Sequence, residues 1–188
     1  FTLKGIKHTP MASISKELEQ RTITLMAPSK TFNIAGLVTS VAIIPNEDIR
    51  NIYQKSIEAM EIDSTNIFGA MGLEVAYNHG EEWLDQVLDY IEDNIDYAVD
   101  YINNNIPGVK VDKPEGTYLL WLDCRHVGKS ADEINKAFLD VGKVILNDGR
   151  PYGEEGDGFF RLNVGCPKSV LTDGLQRIEK AIKSLYSK

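Results

Sequence analysis

Two side chains in this sequence carry chemistry in places where it is costly to put them. Lys30 stands in Ala27-Pro28-Ser29-Lys30-Thr31-Phe32-Asn33-Ile34-Ala35-Gly36-Leu37, a short polar loop between apolar runs at 21–26 and 37–45. An ammonium is expensive to bury, so a lysine held beside core strands gives up its proton more readily. The neutral amine attacks carbonyl carbon, which is Schiff-base chemistry. Spacing alone also fits an ordinary surface lysine in a loop. Arg161 is the second, inside Phe159-Phe160-Arg161-Leu162-Asn163-Val164. A guanidinium in an apolar strand needs a partner, and its planar fork suits a carboxylate through two parallel hydrogen bonds. That carboxylate is either an acid of the protein or one brought by a ligand, and the residues leave both open.

The elements that position these residues follow from periodicity. Residues 13–20 read as a short helix, with Ile14 and Leu18 on one face. Arg21–Met26 reads as a strand in which Ile23 and Leu25 alternate, and Gly36–Pro45 as a second with Val38, Val41, Ile43 and Ile44 apolar. Asn46 caps a helix from 47 to 61 that has acids in its first turn. Ile49, Ile52, Tyr53 and Ile57 form its buried side. Ser64 opens a further helical run through Val75 and Tyr77, where Gly69, Ala70 and Gly72 predict close packing against another element, and Gly80 ends it. Leu84, Leu88, Ile91, Ile95, Ala98 and Ile102 form one stripe of a long helix. The acids around that stripe read as a solvated face or, alternatively, as a surface for a metal or a basic partner.

Beyond Gly108 the pattern changes. Residues 109–111, 117–123, 143–147 and 159–166 read as strands. Ser130-Ala131-Asp132-Glu133 is a capping box, its helix closed by Gly142. Residues 148–158 form a glycine-containing loop suited to shaping a ligand site, and 169–186 a final amphipathic helix. The expected class is α/β. Residues 1–80 supply pieces of an α/β layer, 81–108 a long linking helix, and 109–188 a compact α+β unit.

Composition narrows the functions. The 188 residues carry a net charge of -8, which disfavours nucleic acid and anionic membranes as partners. No apolar run approaches the roughly 20 residues of a membrane span, and residues 1–20 lack the apolar core of a signal peptide. Cys124 and Cys166 lie in strand-like runs and read as reduced core residues, as in a cytoplasmic protein. His8, His79 and His126 are scattered without metal-site spacing, so no metal is expected.

The segment Ser29-Lys30-Thr31-Phe32-Asn33-Ile34-Ala35-Gly36-Leu37 resembles the lysine segment of fold-type I pyridoxal-phosphate (PLP) enzymes. The likeness is to the branch of cystathionine β-lyase and cystalysin-type C–S lyases, beside the class I/II aminotransferases. Phe160-Arg161-Leu162-Asn163 resembles the strand whose arginine grips the substrate α-carboxylate in that superfamily. Pro114-Glu115-Gly116-Thr117-Tyr118 through Asp123 is similar to the family's small-domain strand, and Lys7-His8-Thr9-Pro10-Met11-Ala12-Ser13 to the segment before the lysine strand. The resemblance spans the chain but only the C-terminal half of a family member. It implies the C-terminal part of a large PLP-binding domain, a linking helix and a small α+β domain.

By that resemblance Lys30 carries pyridoxal 5'-phosphate, Ser29 contacts the cofactor or its phosphate, and Arg161 binds the carboxylate of a small amino-acid substrate. The expected assembly is a homodimer. The expected reaction is β-elimination of a C–S bond. Transamination is the alternative, and a non-catalytic binding or regulatory module reusing the fold is a third reading. In the family the acid that pairs with the pyridinium nitrogen, the phosphate-binding turn and the aromatic that stacks on the ring lie upstream of these segments. Many aminotransferases have a phosphate-binding serine three residues before the lysine and an arginine two after the glycine. Ala27 and Val38 stand there in this chain, which favours the C–S lyase branch.

Overall fold

The computed structural model describes residues 1–62 and 66–186, and the chain divides into two compact units: Lys7–Val87, and Phe1–Ile6 together with Leu88 onward. The expected helix start at Ser64 lies outside the described residues.

In the 7–87 unit, a 3-10 turn at Met11–Ser13 leads into helix α1 (Lys16–Gln20), where Ser15 accepts a capping bond from Leu18 N at 3.2 Å. Strand β1 (Thr24–Met26) pairs antiparallel with β2 (Val41–Ile43), with Leu25 opposite Ala42. The expected second strand is therefore shortened at both ends, and the first begins at Thr24 and not at Arg21. Ala35–Leu37 winds as a 3-10 turn, and Val38 closes it in the left-handed region at φ 48. With its backbone turned that way Val38 is 83% exposed and joins no ladder. Asn46 Oδ1 accepts from Ile49 N at 3.1 Å and starts α2 (Glu47–Ala59). Ile52, expected on the buried side of α2, is exposed. Helix α3 (Ile67–His79) follows, capped by Asn66, and stops at Gly80. Helix α4 (Glu81–Asn105) then carries the chain onward.

In the second unit the apolar stripe of α4 is buried at Ile91, Ile95, Ala98 and Ile102. Tyr101 on its flank donates to Glu179 Oε2 at 2.5 Å. The sheet is antiparallel, in the order β3 (Leu119–Asp123), β5 (Phe159–Asn163), β4 (Asn147–Asp148). Alternation sorts its faces: Leu120, Leu122 and Phe160 are buried, whereas Trp121 and Arg161 stand opposite one another on the other face. Helix α5 (Ala131–Ala137) starts at the expected capping box, in which Ser130 and Glu133 bond reciprocally. Phe138, just past it, meets Phe160 edge to face at 5.2 Å. Helix α6 (Lys168–Ser184) covers this core with Leu171, Leu175, Ile178 and Ile182.

Two expectations change here. Residues 109–111 form no strand beyond a single bridge between Lys110 and Asp123. Residues 143–146 form none either, because the chain leaves α5 through a wide π turn, Phe138–Gly142, which Lys143 closes at φ 54. Gly142 is not the left-handed stop. It is needed for close approach to α6, since a Cβ there would lie 2.9 Å from Arg177 O. Residues at the start of the chain also gain a place: Thr2 bridges Gly116, and Leu3 N donates to Glu115 O at 3.0 Å.

Candidate functional site

Lys30 sits on a single tight turn directly after β1. Phe32 N donates to Pro28 O at 2.9 Å and Ile34 N to Ser29 O at 3.0 Å. Asn33 takes the left-handed conformation at φ 54, which asparagine tolerates better than most residues. The arrangement closes the turn as a helix end is closed. Pro28 is buried, Ser29 half-buried and Lys30 exposed. Among the described residues neither the Lys30 amine nor the Ser29 hydroxyl has a hydrogen-bond or ion-pair partner.

The backbone beneath Lys30 is fixed two residues further on. The Phe32 ring meets Tyr77 edge to face at 5.7 Å and stacks against Trp83 at 6.2 Å. Glycine makes that seat: a Cβ at Gly80 would lie 2.6 Å from Phe32 Cε1 and 2.5 Å from Ala76 O. A Cβ at Gly72 would lie 2.4 Å from Leu37 Cδ1. Of the small residues expected to pack closely on another element, Gly69 and Gly72 do so against Leu37 and Thr39, whereas Ala70 is exposed. The main chain of Lys30 is anchored while its side chain stays unengaged among the described residues.

Arg161 is built differently. It lies mid-strand on β5, opposite Trp121 on β3 and Asn147 on β4. Its Nη2 donates to Asn147 Oδ1 at 3.0 Å, and its Cζ lies 5.1 Å from the Tyr152 ring centroid. Its Nε is buried and has no hydrogen-bond partner among the described residues. A buried unpaired donor is uncommon and marks a place where a partner is called for.

Two neighbouring arginines make the contrast. Arg125 donates from Nε and Nη2 to Asp123 at 2.9 and 2.7 Å, and its Cζ lies 4.5 Å from the Phe159 ring centroid. Arg150 donates from Nη2 to Asp148 at 2.6 Å and to Asp132 at 2.8 Å. These arginine bonds hold the Asp123 and Asp148 carboxyls below the usual carboxylate range. Arg161 alone of the three has no carboxylate among the described residues. Its one hydrogen-bond acceptor among the described residues is a neutral amide.

Ser29 and Lys30 lie together on one turn of the 7–87 unit, and Arg161 belongs to the other unit. Asn147 and Tyr152 were not legible as site residues. Asn147 ends an apolar run, and only the β4–β5 register places it beside Arg161. Tyr152 arrives from a loop whose path no periodicity describes.

No family model matches the chain. Cystathionine beta-lyase PatB of Bacillus subtilis is 43% identical over 96% of this chain and 46% of that protein. MalY of Escherichia coli is 35% identical over 86% of this chain and 42% of its own length. Among solved structures, cystalysin from Treponema denticola, which contains a pyridoxal 5'-phosphate cofactor, superposes with a TM-score of 0.93. It is 35% identical over 98% of this chain and 47% of that one. The chain spans about half the length of the curated relatives it matches, and a C-terminal half fits that coverage. In sequence and in fold the chain belongs with the fold-type I PLP-dependent enzymes of the class I/II aminotransferase superfamily, on the side of the cystathionine β-lyases and cystalysin.

Proposed function

We propose that this chain is the C-terminal portion of a PLP-dependent C–S β-lyase of the cystathionine β-lyase type. The observation that carries the reading is the lysine turn. An unengaged amine stands on an anchored backbone, in a chain 43% identical to a cystathionine beta-lyase. Residues 1–80 then form the C-terminal part of the large cofactor-binding domain, 81–108 the linking helix and 109–188 the small domain. The complete protein works as a cytoplasmic homodimer on a small amino-acid substrate, with neither nucleic acid nor membrane as partner.

The residues present fit the cofactor on the count that matters most, a free amine on a fixed turn. Lys30 would hold pyridoxal 5'-phosphate, with Ser29 as an adjoining hydroxyl contact. When bound, the group supplies an electron sink for negative charge developing at the substrate α-carbon. Arg161 meets the α-carboxylate, satisfying its unpaired charge. The Lys30 Nζ, released when the substrate's amino group takes its place, would then remove the proton from the α-carbon as general base. The C–S bond at the β-carbon breaks with its electron pair on sulfur, and hydrolysis of the remaining fragment yields pyruvate and ammonia beside the thiol. Transamination needs the same two residues and differs in where Lys30 returns the proton.

The test is an assay of the complete protein with the cofactor and cystathionine, without any keto acid. Pyruvate in excess over enzyme is expected, and none from Lys30→Ala. Turnover that appears only when a keto acid is added would establish the aminotransferase instead. A Lys30→Ala protein with normal turnover would overturn the assignment.

A further inference from the structure

Arg161 is flanked by two groups that no charge argument requires. Asn147 takes its Nη2 on one side. The Tyr152 ring lies against the guanidinium on another, 5.1 Å from Cζ. Tyr152 is itself held. It ends the 3-10 turn Arg150–Tyr152, its N–H donates to Gly149 O at 2.9 Å, and its ring meets Trp121 edge to face at 5.5 Å. The turn is tied down in turn by Arg150, whose Nη2 reaches Asp132 on α5 at 2.8 Å. The Tyr152 hydroxyl makes no hydrogen bond among the described residues, so what the residue offers Arg161 is its ring face. An aromatic face attracts a guanidinium and constrains its plane.

We infer that Tyr152 is a positioning residue for Arg161: ring and Asn147 amide together hold the guanidinium in one orientation, so that an amino acid with a free α-carboxylate is selected over its amide. The inference rests on the reading of Arg161 as the carboxylate-binding group. A guanidinium ordered beforehand loses less freedom on binding, and that saving appears as affinity for the carboxylate alone. An amide cannot form the charged bidentate pair and gains little from the orientation.

The experiment measures affinities of the complete holoenzyme for L-alanine and L-alaninamide as competitive ligands, in the parent, Tyr152→Phe, Tyr152→Leu and Arg161→Gln. Tyr152→Leu is expected to weaken L-alanine binding by about three- to tenfold while L-alaninamide changes by less than about twofold. Tyr152→Phe keeps the ring and is expected to match the parent for both ligands. Equal loss for both ligands in Tyr152→Leu would reduce Tyr152 to a structural role and overturn the inference, as would no loss for either. If Arg161→Gln abolishes the preference for the carboxylate but Tyr152→Leu does not, only the role of Tyr152 fails. If Arg161→Gln keeps the preference, the reading of Arg161 fails as well.

Discussion

Asn94 is the one polar residue in the described core, 1% exposed on α4. Its Nδ2 donates to Val164 O at 3.0 Å and to Cys166 O at 2.8 Å, tying the turn after β5 to the long helix. Asn94→Asp keeps the shape and removes both donors. With the acid protonated, one O–H can restore one of the two bonds, so the loss is about 1–2 kcal/mol. Once ionised, the carboxylate faces two carbonyl oxygens in a dry site, and both burial and those oxygens raise its folded-state pKa. Between the unfolded value, about 3.9, and the raised folded value, the folded chain keeps a proton the unfolded chain has released. Rising pH then favours unfolding by about 1.4 kcal/mol per pH unit across that window. With the folded value raised by about 1.5 units, the window adds about 2 kcal/mol, so the deficit relative to the parent is expected to grow from about 2 kcal/mol near pH 4 to about 4 kcal/mol near pH 7. Urea unfolding at both pH values measures it, followed by Trp121 fluorescence in a Trp83→Phe background that removes the other of the two indoles. Asn94→Leu serves as the pH-independent control. A deficit equal at the two pH values would refute the reasoning, because it would mean that the side chain is not sealed against those carbonyls.

Gly80→Val should displace the Phe32 ring and cost about 1–3 kcal/mol as an overpacked contact, seen as a lower urea midpoint and altered Trp83 fluorescence; an unchanged midpoint would contradict the close seat. Burial pushes the Tyr101 hydroxyl up to about 12, with help from Glu179, and burial pushes the Cys124 thiol up to about 12. Both groups are neutral when protonated, so their contribution is complete below the ordinary values near pH 9–10 and is lost as pH rises to about 12. Tyr101→Phe should flatten that alkaline loss, and Cys124 should resist iodoacetamide at about pH 8 until the chain is unfolded. Asp132→Asn removes a largely exposed partner of Arg150, so stability should change by less than about 1 kcal/mol; amide exchange at Tyr152 and Gly153, whose N–H groups close the turn, should nonetheless speed up, and an unchanged rate would remove Asp132 from the hold on that turn.

Much of the fold was legible because it rests on local signals. The stripe of α4, the Asn46 cap, the Ser130 capping box and the apolar face of α6 each state their element in neighbouring residues, and each is present. The glycines of α3 also announced their purpose, although the surface they accept, the Leu37 and Thr39 side chains, became visible only in three dimensions. Failures came where tertiary contact overrode composition. Val144 and Ile145 have strand-forming side chains, but Lys143 closes the π turn before them in the left-handed region and no ladder forms until Asn147. Val38 fits a strand by type and yet closes a turn. The candidate lysine and arginine could be picked out by chemistry and resemblance. The setting of Arg161 could not, because Asn147, Trp121 and Tyr152 converge through register and loop path rather than through sequence spacing.

A ribbon of two short strands carries unpaired peptide groups along both outer edges among the described residues. Leu25 on β1 is 69% exposed and Ile43 on β2 is 47% exposed. Such a ladder accepts a third strand from any source that offers one. A strand tethered in the same polypeptide competes at millimolar effective concentration, whereas a strand from another copy competes only at the bulk concentration. The ribbon therefore makes production of this chain a race. In dilute or slow synthesis a tethered neighbour closes the edge first. In a crowded expression host the edges of separate copies meet, and the same hydrogen bonds that would complete a sheet seed an inclusion body.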